Sequence, residues 1–202
     1  DFICRGVISP LVYQSYIEYL ENKYGAKATI VHFKNKTYGW HRFSTKITFE
    51  NGKEYIQDRY HDSYMLLYLR ENISLRPSCY ECRFKGIERC SDLTVGDFWG
   101  LQGKYSDYDN DHGTSAIFVN TELGREFLLA SSNLLSVHSV NPIDIIKGND
   151  CVLHSPACQG DRKKFFDLLK TQGYSTVKRK YCSTLFTDTV QRLLKGVKHA
   201  KK

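Results

Sequence analysis

The stretch RPSCYECRFKGIERCSDLTVGDFWG, Arg76 to Gly100, restricts this chain more than any other. It packs Cys79, Cys82 and Cys90 just ahead of a β-prone run and a glycine-flanked aromatic pair. Cysteines this close together serve a disulfide, a zinc ion or an iron–sulfur cluster, and each demands a different surrounding fold. At 202 residues the chain can bury a core without covalent staples. Its seven cysteines are an odd number, and it shows neither a signal peptide nor an apolar run long enough to span a bilayer. Those features point to a reducing cytoplasm and away from disulfides. The C-x2-C turn of Cys79 and Cys82 lets both thiolates face one metal while backbone N–H groups point at the sulfurs. Cys90 lies within reach of the same centre, and Cys4 sits at a strand-to-helix turn where a thiolate gains from the helix N-terminus. The chain has no second C-x2-C and no histidine pair at finger spacing, so the common zinc-finger layouts fail. Free or buried thiols are the remaining reading.

The formal charge of +7 resembles a nucleic-acid signature until it is located. From Lys178 to Lys202 eight basic residues face the single acid Asp188, which accounts for all of it; the rest of the chain is neutral. The neutral body argues against a nucleic-acid partner. Thr187 to Lys202 sets Val190, Leu193, Leu194 and Val197 on one side and Arg192, Lys195 and Lys198 on others, the pattern of an amphipathic basic helix. No repeat or linker breaks the chain, so residues 1–175 read as one compact unit and 176–202 as a basic tail. The opening at Asp1 in an apolar stretch suggests that an N-terminal portion is missing.

Ser9-Pro10 starts a helix whose apolar stripe, Leu11, Val12, Tyr16, Tyr19 and Leu20, runs to Gly25. Ala28 to Lys34 is β-prone. Phe43, Thr45, Ile47 and Phe49 alternate with polar residues before Asn51-Gly52, a hairpin turn, and Glu54 to Tyr60 returns. A short helix is expected over Asp62 to Arg70, a strand at Asp92 to Val95 and a buried strand at Ser115 to Asn120. Thr121 caps a helix to about Ser131, Pro142 opens a helical turn, and Asp161 caps a helix ending at Gly173. The class is α+β, a mixed sheet with an antiparallel hairpin and flanking helices.

Cys151, Cys158 and Cys182 match no common metal spacing and read as structural thiols. The histidines are scattered and read as surface or satisfied core residues. There is no Gly-x-Ser-x-Gly, His-Glu-x-x-His, P-loop or Rossmann fingerprint, which removes the common hydrolase, kinase and dinucleotide-binding layouts. A zinc-stabilised binding module that presents the basic tail to nucleic acid or an acidic partner stays open beside a redox protein.

The blocks DFICRGVISP, YGWHRFSTKITFENGKEY, LRPSCYECRFKGIERCSDLTVGDFWG and DHGTSAIFVNTELG, in this order, resemble the C-terminal domain of the coenzyme F-420 hydrogenase/dehydrogenase beta subunit family. The resemblance implies an iron–sulfur flavoprotein with a [4Fe-4S] cluster and FAD. Such a protein moves electrons between a ferredoxin-like carrier, or hydrogenase or dehydrogenase subunits, and a hydride acceptor such as coenzyme F-420. It implies cluster ligands at Cys4, Cys79 and Cys82, with the fourth from an upstream cysteine or Cys90. Arg5 stands where that family usually has histidine. Gly6, Ser9, Gly96, Asp97, Trp99, Thr114 and Ser115 fall in the family-like blocks at strand ends, where a flavin would approach the backbone.

Overall fold

The computed structural model describes residues 1–182. In chain order it contains α1 (Pro10–Tyr24), β1 (Ala28–Asn35), β2 (Ser44–Phe49), β3 (Glu54–Asp58), α2 (Ser63–Met65), β4 (Leu93–Asp97), β5 (Ser115–Val119), α3 (Glu122–Ala130), α4 (Pro142–Gly148) and α5 (Arg162–Tyr181). A π-helical turn, Leu66–Arg70, continues α2. The α+β class stands. Its strands form two antiparallel sheets, β1-β2-β3 and β4-β5, and among the described residues the parallel component is the bridge between Phe2 and Val95. The chain divides into two compact units built from interleaved segments. The first takes Asp1–Val7, Gly39–His41 and Arg76–Ala157; the second takes Ile8–Tyr38, Arg42–Leu75 and the chain from Cys158 onward. Because the segments interleave, no linker marks the division in the sequence.

In the second unit the alternation expected of Phe43 to Phe49 holds from Thr45 onward and breaks at Ser44, which is buried as well. Phe43, Ile47 and Phe49 are buried, while Lys46 and Thr48 are only half-buried. Gly52 takes φ 77°, its N–H donates to the Phe49 carbonyl, and β2 then pairs with β3 from Thr48↔Glu54 to Ser44↔Asp58. Helix α1 buries Val12, Tyr16 and Leu20 and ends on Gly25 in the left-handed conformation, φ 70°. Ser9 makes no side-chain cap; Pro10, whose missing N–H costs nothing in the first turn, begins the helix instead. Asp161 does cap α5, accepting from the Lys164 N–H at 2.9 Å. Gly173, at φ 76° and ψ 176°, interrupts α5 without ending it. The helix resumes to Tyr181 and buries Tyr174 and Val177, so the boundary expected at residue 175 falls inside a packed helix. Lys178 Nζ reaches the Tyr19 hydroxyl at 3.3 Å. The amphipathic stretch expected over 187–202 lies outside the described residues.

Asp58 closes β3 with a buried carboxylate that accepts from Arg42 Nε at 2.6 Å, His61 Nδ1 at 2.6 Å and the Tyr60 N–H at 3.0 Å. Burial pushes its pKa up, but the donors from His61, Arg42 and Tyr60 outweigh it and hold the carboxyl below its ordinary value. A lowered folded-state pKa adds stability that is complete above the unfolded value of about 3.9 and is lost as pH falls through the folded value. Urea unfolding should therefore show Asp58→Asn costing stability near neutral pH, with the deficit shrinking as the solution is acidified below about pH 4.

In the first unit the core is Trp40, Phe98, Leu101, Ala116 and Ile145, with Ile3, Trp99, Tyr105, Phe118 and Val140 packed against it. The β4-β5 pair runs in register from Leu93↔Val119 to Asp97↔Ser115. Ser115 to Asn120, expected as a buried strand, is an edge strand in which Ala116 alone is buried, because among the described residues β5 pairs with β4 and with no second strand. Thr121 caps α3, accepting from the Gly124 N–H at 3.2 Å. At Gly148 an added Cβ would lie 1.6 Å from the Trp99 carbonyl oxygen, so the end of α4 sits directly on the chain after β4.

Candidate metal centre and cofactor pocket

The cysteine segment leaves Arg76 extended and folds Pro77–Cys79 into a 3-10 turn. The Cys79 N–H donates to the Arg76 carbonyl at 3.0 Å and the Tyr80 N–H to that of Pro77 at 3.1 Å. Proline fits the first position of such a turn because it has no N–H to leave unpaired. The turn puts Cys79 and Cys82 on one wall of a cavity of about 350 Å³, and Cys4 lines the same cavity. Its other walls include Arg5, Gly6 and Lys85.

Cys4 arrives there because the first residues of the chain lie along β4. Ile3 donates its N–H to the Val95 carbonyl at 2.8 Å. A Cβ on Gly96 would come within 2.6 Å of the Ile3 Cβ, so only glycine lets that segment lie so close. Gly6, at φ 141°, turns the backbone, and the next amide, Val7 N–H, donates to Cys79 Sγ at 3.2 Å. Arg76 N–H in turn donates to the Val7 carbonyl at 2.8 Å. The N–H to sulfur bond and the surrounding cations, Arg5, Arg83 and Lys85 against Glu81, suit an anionic group held by sulfur. Among the described residues no three His, Cys, Asp or Glu side chains converge tightly enough to hold a single ion. Cys4, Cys79 and Cys82 share the lining of one cavity.

The other cysteines are placed differently. Cys90 is exposed and does not line the cavity. Cys151 is half-buried just behind it, its carbonyl 2.6 Å from Lys85 Nζ. Burial pushes the Cys151 thiol up, with Lys85 and Arg5 pulling the other way. Cys158 and Cys182 belong to the second unit, and burial pushes the Cys182 thiol to about 12, which keeps it protonated as a packing group.

The residues expected around a flavin do not gather at one place. Thr114 and Ser115 line a second cavity of about 750 Å³, within the range of small-molecule sites, together with Phe98, Tyr108, Phe118 and His138. The Thr114 hydroxyl donates to the Tyr108 carbonyl at 2.5 Å, and Tyr108 stacks on His138 with ring centres 4.2 Å apart. Gly6 lines the cysteine cavity, and Gly96 makes room for Ile3. Asp97 pairs with Ser115 at the end of β4. Trp99 stacks on Trp40 at 4.4 Å, so one face of its indole is already covered. Ser9, in the other unit, spends its N–H on the Ser74 carbonyl at 2.8 Å. Sequence reasoning missed Lys85, Ser155, Tyr108 and His138. Ser155 Oγ accepts from the Cys82 N–H at 3.0 Å, a contact across 73 positions that no local pattern signals.

Residues 1–142 match the family described as the C terminus of the coenzyme F-420 hydrogenase/dehydrogenase beta subunit. The chain belongs to that family. Among curated proteins and solved structures nothing matches significantly. The matched span of this beta-subunit domain includes Cys4, Cys79, Cys82 and the β4-β5 pair, and stops at the start of α4. Membership of the family makes it an oxidoreductase-subunit type. No helix among the described residues is long and apolar enough to cross a membrane.

Gly96→Val offers a direct check on how Cys4 is placed. The added branches would strike Ile3, and overpacking of this kind costs about 1–3 kcal/mol. If Cys4 is a cluster ligand, the expected signature is loss of bound iron out of proportion to the fall in melting temperature, since the displaced segment carries Cys4.

Proposed function

We propose that this chain is the cofactor-bearing part of an iron–sulfur flavoprotein oxidoreductase of the F-420 hydrogenase/dehydrogenase beta subunit type. The observation that carries the reading is the single cavity shared by Cys4, Cys79 and Cys82. When bound, a [4Fe-4S] cluster and FAD supply single-electron transfer and hydride chemistry. The chain supplies three thiolates, the Val7 amide that donates to Cys79 Sγ, and cations that offset negative charge. The family resemblance implies a fourth ligand from an upstream cysteine or from Cys90.

The cavity bordered by Thr114 and Ser115 is the space offered to the flavin ring or to the hydride acceptor, whether coenzyme F-420 or another. Its aromatic residues provide stacking surface, and the Tyr108–His138 stack forms part of its wall. Electrons come from a ferredoxin-like carrier or from hydrogenase or dehydrogenase subunits in the cytoplasm, with the C-terminal lysines raising the rate of encounter with an acidic surface.

The test is the visible spectrum and the iron, sulfide, zinc and flavin content of the intact protein purified without oxygen. Iron and sulfide with flavin that bleaches under a low-potential donor is the expected result. Stoichiometric zinc with no iron or flavin, together with steeply salt-dependent binding to nucleic acid, would replace the proposal with a zinc-stabilised binding module.

A further inference from the structure

Lys85 follows the C-x2-C turn and lines the cysteine cavity. Its ammonium donates to the carbonyls of Cys4 and Cys151, each at 2.6 Å. One side chain thus ties together three segments that are remote in sequence: the turn that carries Cys4, the loop that carries Cys79 and Cys82, and the chain after α4. Other bonds fasten the last two of these to each other, from the Gly86 N–H to the Val152 carbonyl at 2.8 Å and from the Cys82 N–H to Ser155 Oγ at 3.0 Å. Lys85 adds a side-chain tie at Cys4 itself, between the bonds that fix Ile3 to Val95 and Val7 to Cys79. Cys4 is exposed, so packing does little to hold it, and a hydrogen bond to its own carbonyl restrains the backbone from which its sulfur hangs. The same ammonium carries charge in a half-buried setting, where it is screened less than on the open surface.

We propose that Lys85 is a positioning residue of the metal centre: it holds the Cys4 sulfur toward those of Cys79 and Cys82 and sets a fixed positive charge beside the group they bind. The charge half of the inference rests on the cluster reading above, while the positioning half is a property of the metal-free chain. Reduction adds negative charge, and a nearby cation stabilises the reduced state, so losing the ammonium disfavours reduction.

Two measurements on the full chain separate these parts. In metal-free protein a short bifunctional thiol reagent, mapped by mass spectrometry, should join Cys4 to Cys79 or Cys82. Lys85→Gln should cut that yield at least fivefold, and Lys85→Arg, which keeps the charge and the donors, should restore most of it. In protein reconstituted with iron and sulfide, Lys85→Gln should shift the reduction equilibrium about tenfold toward the oxidised form, equal to about 59 mV for one electron, with Lys85→Arg near wild type. Circular dichroism monitors folding, and Lys85→Met, which keeps the aliphatic stem, replaces Lys85→Gln if that variant does not fold. Unchanged cross-linking and an unchanged potential in the uncharged variant overturn the proposal and leave the cluster reading intact. Wild-type protein that takes up no iron, yet loses its cross-link when Lys85 is neutralised, defeats the cluster reading and leaves the positioning role standing.

Discussion

Cys79→Ser and Cys82→Ser, each prepared without oxygen, are expected to lose most of their iron and the broad visible absorption that accompanies it. Cys90→Ser and Cys158→Ser should keep both. The contrast follows from position. Cys79 and Cys82 share a cavity with Cys4, and Cys79 Sγ already accepts a backbone N–H bond, whereas Cys90 is exposed outside that cavity and Cys158 lies in the other unit. A serine hydroxyl is a far poorer ligand than a thiolate for soft metal centres, so one substitution removes a binding group without changing side-chain volume much. Melting temperature should fall as well, because any group that binds the folded chain alone stabilises it by mass action. Equal iron loss in Cys90→Ser would show that Cys90 joins the set in the assembled protein.

Asp62→Ala should produce the largest loss of stability among the non-cysteine substitutions. Asp62 is fully buried at the start of α2, where its carboxylate accepts from Tyr16 OH at 2.8 Å, Tyr55 OH at 2.7 Å and the Met65 N–H at 2.8 Å. Truncation leaves two phenol hydroxyls and one amide without an acceptor, and each buried orphan costs about 1–3 kcal/mol, so a loss of about 3 kcal/mol or more is expected in urea unfolding. The neighbouring Ser63 Oγ and Tyr174 OH, 3.1 Å apart, extend the polar cluster to α5. Burial and the adjacent carboxylate push the Tyr16 hydroxyl well above its ordinary value, so it stays a donor.

Asp62 itself is pushed up by burial, against the pull of Tyr55, the Met65 amide and Tyr16. Its sign is thus opposite to that of Asp58: a raised carboxyl pKa adds stability that is complete below the unfolded value of about 3.9 and lost as pH rises through the folded value. Asp62→Asn keeps one acceptor and does not titrate, so the advantage of wild type over it should shrink as pH is raised from about 4.

The candidate site is half legible in the sequence. Cys4, Cys79 and Cys82 stand out because thiolates at C-x2-C spacing need only a local turn to face one centre, and because the surrounding blocks resemble a family. Gly96 reads as a place where backbone meets cofactor; its neighbour is Ile3, and no local pattern reveals which element lies over a strand. Trp99 reads as a ring-lining residue, and its indole stacks on Trp40, far earlier in the chain. Lys85 is silent in the sequence because a lysine in a polar loop is ordinarily a solvated side chain.

What the amino-acid sequence determined by itself is local. The Asn51-Gly52 hairpin, the Gly25 stop and the Thr121 and Asp161 caps all depend on interactions within a few residues, whose energies are set by side-chain chemistry and backbone sterics. Tertiary structure decided everything that depends on which segments meet. It divided the chain into two units with no linker, carried α5 past Gly173 because Tyr174 and Val177 had a core to enter, and left β5 at an edge. It also laid the first residues on β4, which brought Cys4 to the cavity of Cys79 and Cys82 and set Lys85 across its wall. The physical reason is that burial and long-range hydrogen bonding reward contacts between distant segments irrespective of their separation along the chain, whereas propensity and capping act only through near neighbours.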